Sequence, residues 1–207
     1  MINIDSVAVS TIQVAAQRAG NSWPWYVIRG AGFTAATLLV LLMLSGIGQV
    51  TGLTYRFIEP LKAWAIHKAL AIALCVSIAI HAGFLLIDHF VSFSLIQLLV
   101  PFLSHYDNKT QLLGLPLGFA AVALGILAMY GVAIIVASSL GWIDTKKGAW
   151  RVLHYLSYVV AIFVFFHALY AGSDLEYGSF RAAWLFIGLI VLIGIVLRLY
   201  RARSLKP

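Results

Sequence analysis

The sequence has 207 residues, of which 62% are apolar and only 10% are charged, and its mean hydropathy is +0.98. A soluble domain of this length is nearer half apolar and a quarter charged, so a water-soluble globule is excluded. The formal charge of +7 does not call for a nucleic-acid partner. The basic residues sit in short loops and in the C-terminal stretch, where topogenic charges belong.

In chain order, residues 1–26 form a polar lead, expected to lie at the membrane interface. "MINIDSVAVSTIQVAAQRAG" has no basic segment followed by an apolar core, so it is not expected to be a cleaved signal peptide. Five apolar runs follow, over residues 27–50, 64–87, 113–142, 150–170 and 181–200. Each reaches the roughly 20 residues needed to cross about 30 Å of hydrocarbon. None shows the two-residue alternation of barrel strands, so helices are the remaining way to satisfy the backbone in lipid. The link between the second and third runs holds "FSLIQLLVPFLSHY", too short and too interrupted to span, and is expected to form an interfacial helix or re-entrant cap. The fold class is therefore an all-α membrane bundle of five transmembrane helices, with an interfacial segment between helices two and three. Residues 27–200 make one transmembrane domain, and residues 201–207 a basic tail. The single cysteine, Cys75, lies inside a span and has no partner for a disulfide.

Lys and Arg set the expected orientation. Arg56, Lys62, Lys68, Lys146, Lys147, Arg151, Arg198, Arg201, Arg203 and Lys206 share one side, and Arg18, Arg29, Lys109 and Arg181 the other. The excess is expected to put the C-terminus in the cytoplasm and the N-terminus outside.

The polar residues that stand out are four histidines inside the spans. Helix two carries His67 and His81, fourteen residues apart; helix four carries His154 and His167, thirteen apart. At about 1.5 Å per residue, the members of each pair are ~20 Å apart along their helix. The two helices run in the same direction, so His67 is level with His154 and His81 with His167. Neutral imidazole is a good iron ligand, and two axial imidazoles give a low-spin electron-transfer centre. Two such sites at two depths suit two haems of the b type stacked across the membrane. On an ideal helix fourteen residues fall ~40° short of whole turns, but thirteen fall ~140° short. Helix four must therefore tilt, kink or bulge for His154 and His167 to share a face. Core histidines bonded to backbone or hydroxyls, and a di-metal site, are the competing readings; intramembrane polar residues are costly and usually functional. No Asp or Glu lies between the paired histidines to complete a di-metal site.

The H-x13-H in one helix and H-x12-H two helices later resemble the ferric reductase-like transmembrane domain, the haem-bearing part of ferric reductases and NADPH oxidases. "LLVPF" in the link and "WRVLHYLSYVVAIFVFFHALYAGSD" look like its small, stand-alone bacterial members. The resemblance implies haem b at two sites, the inner on His67 and His154 and the outer on His81 and His167. It also implies electron flow from the cytoplasm to an acceptor outside. No FAD and NAD(P)H module follows in "RARSLKP", so the electrons are expected from quinol or a separate flavoprotein, and the acceptor is expected to be a ferric chelate, a periplasmic flavoprotein or a reductase. The oxidases carry a further histidine four residues after the outer ligand, where this chain has Leu85, which weakens a case for superoxide production. Two alternatives stay open: a mono-haem or flavin-assisted subunit of a periplasmic reductase of the methionine sulfoxide reductase type, and a haem-free transporter or structural subunit.

Arg29 outside and Arg56 and Lys62 inside stand at depths suited to haem propionates, or are simply topogenic. The family's outer arginine looks matched by Arg29. His89 and His105 read as surface residues of the link. Trp142, Trp150, Trp184 and Tyr200 read as an interfacial aromatic belt. "GLPLG" reads as the start of helix three, and Gly125 and Gly131 as small residues for close helix packing.

Overall fold

The computed structural model describes residues 22–89, 91–106, 111–112 and 115–204. Helix α1 spans Trp23–Val50 and α2 Pro60–Leu85, with a 3-10 turn at Thr54–Arg56 between them. Each helix starts on a proline in its first turn, where the missing N–H has no partner to lose. Helix α1 begins four residues ahead of the expected start, so Trp23–Tyr26 belong to the span and not to the polar lead; residues 1–21 lie outside the described residues. The short helix α3, Leu95–Leu99, sits in the link and is closed at its start by a reciprocal Ser94–Gln97 capping box. The Tyr130 hydroxyl donates to the Leu99 carbonyl at 2.5 Å and ties α3 to the bundle. The link thus holds one short helix of five residues.

Two-residue strands β1, Gln111–Leu112, and β2, Leu115–Pro116, pair antiparallel just before α4, Gly118–Gly141. The third span starts at Gly118 and not at 113, on the second glycine of "GLPLG". The fourth span is two helices, α5 over Lys147–His154 and α6 over Leu156–Ala171, broken at Tyr155. Across the break the Tyr155 N–H reaches the carbonyls of both Arg151 and Val152 at 3.2 Å, and the Tyr158 N–H bonds that of Tyr155. This is the tightened three-residue pattern, a local overwinding in the direction that the spacing of His154 and His167 calls for. A 3-10 turn at Ser173–Leu175 leads into α7, Gly178–Ser204, so residues 201–204 continue the last helix into the expected tail.

Five helical stretches are long and apolar enough to cross a membrane, and the chain is a multi-pass membrane protein. Helix α1 packs along α2, and α4 along α6; the two pairs touch each other only lightly, with α7 against α1 and α6. Helices α2 and α6 therefore face one another diagonally across the bundle. The buried centre is Leu39, Leu42, Met43, Leu74, Ala128, Val132, Val160 and Val191. Outward-facing residues such as Ile72, Leu189 and Leu192 are more than half exposed, as lipid-facing positions of an all-round apolar helix should be. One end of the bundle carries the loops around residues 51–59 and 142–146 and most of the basic residues. The other carries the long link. They are called here the basic end and the link end.

Candidate functional site

The diagonal arrangement brings the four histidines together in the pairs that depth alone implied. At the basic end the His67 and His154 rings are 6.3 Å apart between centroids. At the link end His81 and His167 are also 6.3 Å apart. An imidazole nitrogen binds a transition metal at about 2.0–2.1 Å and lies about 1.1 Å from its ring centre, so two rings on opposite sides of one ion stand about 6.3 Å apart. Both pairs fit that separation. The ring planes cross at 45° at the basic end and at 89° at the link end.

Second partners fix which ring nitrogen is free at the link end. The His81 Nδ1–H donates to the Ile28 carbonyl of α1 at 2.9 Å, and the His167 Nδ1–H to the Ala121 carbonyl of α4 at 2.8 Å. A carbonyl only accepts, so Nδ1 carries the proton and Nε2 keeps its lone pair for a metal. At the basic end His67 Nδ1 meets the Ser45 hydroxyl of α1 at 2.7 Å, and that hydroxyl donates to the Leu42 carbonyl. A hydroxyl can either donate or accept, so the contact with Ser45 holds the His67 ring without setting its tautomer. His154 differs: its Nδ1 is buried and has no hydrogen-bond partner.

Glycines let the rings reach these acceptors. A Cβ on Gly125 would fall 2.5 Å from His167 Nδ1, and one on Gly32 would fall 3.1 Å from His81 Nδ1. Gly46 faces His67 with room for ordinary contact, at 3.5 Å. Gly32 and Gly125 each lie four residues after the carbonyl that accepts from the histidine, so on a helix the notch and the acceptor share one face. Gly125 is thus part of the site and not only a packing residue; Gly131 does face Val160, as close packing requires. Sequence reading passed over Gly32, Gly46 and Ser45. The fourteen-residue spacing of Gly32 and Gly46 matches that of His67 and His81, and that was the available signal.

Two tryptophans read as belt residues point inward instead. The Trp150 Nε1–H donates to Ser139 at 3.1 Å, and its ring lies 5.2 Å from that of His154. The Trp184 Nε1–H donates to the Phe165 carbonyl, and the indole stacks on Phe165. Trp142 keeps its interfacial role, with the Lys146 ammonium over its ring.

Arg29, at the link end, is bidentate to Asp174, through Nε at 2.7 Å and through Nη2, and lies over the Trp25 ring. Its cationic group is already engaged, so it joins α1 to the turn after α6. Arg56 is exposed in the 3-10 turn. Lys62 pairs with Glu59, both largely exposed. His89 and His105 are exposed in the link. Among the described residues no three His, Cys, Asp or Glu side chains come together, as a di-metal carboxylate centre would need.

No characterised protein and no solved structure matches the chain. The family model described as the ferric reductase like transmembrane component matches residues 31–165. That stretch is about two-thirds of the chain; it includes His67, His81 and His154 and stops two residues short of His167. The chain belongs to the ferric reductase-like transmembrane family.

Proposed function

We propose that the protein carries electrons across the membrane through two b haems, one held by His67 and His154 and the other by His81 and His167. The observation that carries this reading is the pair of 6.3 Å imidazole separations, supported by the two Nδ1 atoms, of His81 and His167, that donate to carbonyls and so leave Nε2 to bind iron. Bound haem supplies reversible one-electron chemistry. The chain's part is to hold the rings, set the tautomers at the link end and keep the path dry with the apolar side chains around Leu39, Leu74 and Val160.

Orientation in this reading follows the basic residues. The basic end faces the cytoplasm, and the link end faces outward from a bacterial inner membrane. Electrons enter from quinol or a separate flavoprotein and leave to an acceptor at the link end. In this reading Arg56 lies at a depth to meet a propionate, and Arg29 acts through its Asp174 latch.

The test is haem content per chain in detergent, with a dithionite-reduced minus oxidised spectrum. Two low-spin b haems per chain are expected; none, after expression with ample haem, would overturn the reading. One haem would favour the mono-haem reductase subunit, and one observation points there: His154 has no acceptor for its Nδ1.

A further inference from the structure

Helix α7 stands off from α1 and α6 and leaves a partly open cleft of about 520 Å³ between the three. On α7 its wall is formed by Trp184, Gly188, Val191 and Ile195, at intervals of three or four residues, so they make one stripe. The next position on that stripe is Arg198, one turn beyond Ile195 toward the basic end. Its guanidinium lies 4.9 Å from the ring of Tyr155 and 5.3 Å from that of Tyr158. Tyr158 also lines the cleft, so the cation and the cleft are continuous. At the other end the Trp184 indole stacks on Phe165 and spends its N–H on the Phe165 carbonyl. Tyr158 and Trp184 are the only lining residues whose side chains carry an O–H or N–H. The cleft is therefore a hydrocarbon site with a cation at one mouth.

Length and charge define the occupant. From Trp184 to Ile195 the stripe runs roughly 16 Å at about 1.5 Å per residue, about half of the ~30 Å hydrocarbon layer. That is the depth of one leaflet, entered from the basic end. Two ion pairs occur among the described residues, Arg29–Asp174 and Lys62–Glu59, and neither uses Arg198. Aromatic faces hold a cation but supply no counter-charge. A matching partner brings an anion to Arg198 and a hydrocarbon chain to the cleft on one molecule. We propose that the cleft and Arg198 bind one anionic phospholipid of the basic-end leaflet, its phosphate on the guanidinium and an acyl chain between α1, α6 and α7. The inference does not rest on the two-haem reading, since none of the four histidines lines the cleft.

The experiment is native mass spectrometry of the full chain, stripped of lipid in a neutral detergent and titrated with phosphatidylglycerol or phosphatidylcholine of identical acyl chains. The wild type should hold one phosphatidylglycerol per chain, roughly 10-fold more tightly than phosphatidylcholine. Arg198→Gln should lose that preference, and Arg198→Lys should keep most of it. Ala161 lines the cleft, so Ala161→Leu fills it with side-chain carbon and should weaken both lipids by about 10-fold while the charge stays. Dihexanoyl phosphatidylglycerol, with the same head and short tails, should bind wild type at least about 10-fold more weakly than the long-chain lipid. Should Arg198→Gln fail to fold, the Ala161→Leu and short-chain comparisons carry the test. Equal binding of the two long-chain lipids by wild type, or an Arg198→Gln protein that keeps the preference, would overturn the inference. Equal binding of the short-chain lipid would reduce the site to a headgroup contact and overturn it too. A neutral isoprenoid quinone that binds wild type more tightly than phosphatidylglycerol would give the cleft to another occupant, with the same consequence.

Discussion

The two ends of the bundle hold their histidines by different means. At the link end both rings are braced by main-chain carbonyls, Ile28 and Ala121, through notches at Gly32 and Gly125. At the basic end the support comes from side chains: the Ser45 hydroxyl for His67, the Trp150 ring against His154, and no acceptor at all for His154 Nδ1. A carbonyl acceptor on a helix cannot be removed by changing a side chain, so the link-end histidines are oriented by the fold itself. A hydroxyl or an indole can be substituted, so the setting of the basic-end histidines is adjustable. A hydrogen-bond acceptor on the far nitrogen also raises imidazole basicity, and the ends should differ in ligand strength for that reason.

The largest expected effects come from the ligands. His81→Ala or His167→Ala should remove one of two haems and leave the other, and His67→Ala or His154→Ala should do the converse. Haem per chain by pyridine haemochrome reads this directly. Loss of both haems from any single substitution would break the separation of the two ends. Next is Gly125→Val, which forces side-chain carbon into the His167 ring. An overpacked core costs about 1–3 kcal/mol, and haem at the link end should be lost while the basic end is retained. Gly32→Ala should be milder and Gly46→Ala nearly silent, in the order of the 2.5, 3.1 and 3.5 Å approaches. The reverse order in haem retention would show that these glycines do not serve the rings.

Ser45→Ala sharpens the contrast from the other side. It takes away the hydrogen-bond partner of His67 and should weaken haem retention at the basic end by about 10-fold, since partners of a ligand's far nitrogen carry that weight. Haem-transfer kinetics to an excess of apomyoglobin would measure it, with the link-end haem as the internal control. Smallest is Asp174→Asn, which breaks the latch to Arg29. The pair is partly exposed, with side-chain exposures of 32% and 23%, so about 1 kcal/mol or less is expected. A double-mutant cycle with Arg29→Gln, read by thermal unfolding in detergent, should give a coupling of that size. Electron paramagnetic resonance adds a separate check. The 89° crossing at the link end should give a more anisotropic low-spin signal than the 45° crossing at the basic end, and two indistinguishable signals would contradict it.

Much of this was legible before any fold was known. The spans follow from hydropathy because an unpaired backbone group in lipid is so costly that the chain has few options. The pairing of His67 with His154 and of His81 with His167 follows from depth along parallel helices, and the misfit of the thirteen-residue spacing correctly demanded a distortion in helix four. Helix ends were less legible. α1 begins at Trp23 and α4 at Gly118, where prolines and turn geometry decide what hydropathy cannot. The contacts that Trp150 and Trp184 make inside the bundle were not legible either. Composition places a residue at a depth but not on a side, and which side faces a histidine depends on how the helices are rotated against each other.

The sequence by itself determined that this is a membrane protein, how many times it crosses, and the depths at which four imidazoles lie, because the bilayer imposes a single axis and residues count along it. Only the tertiary structure decided that α2 and α6 stand diagonally, and that Ile28, Ala121 and Ser45 meet the far nitrogens. Those are relations across the axis. They depend on packing between residues far apart in the chain, and no local pattern encodes them.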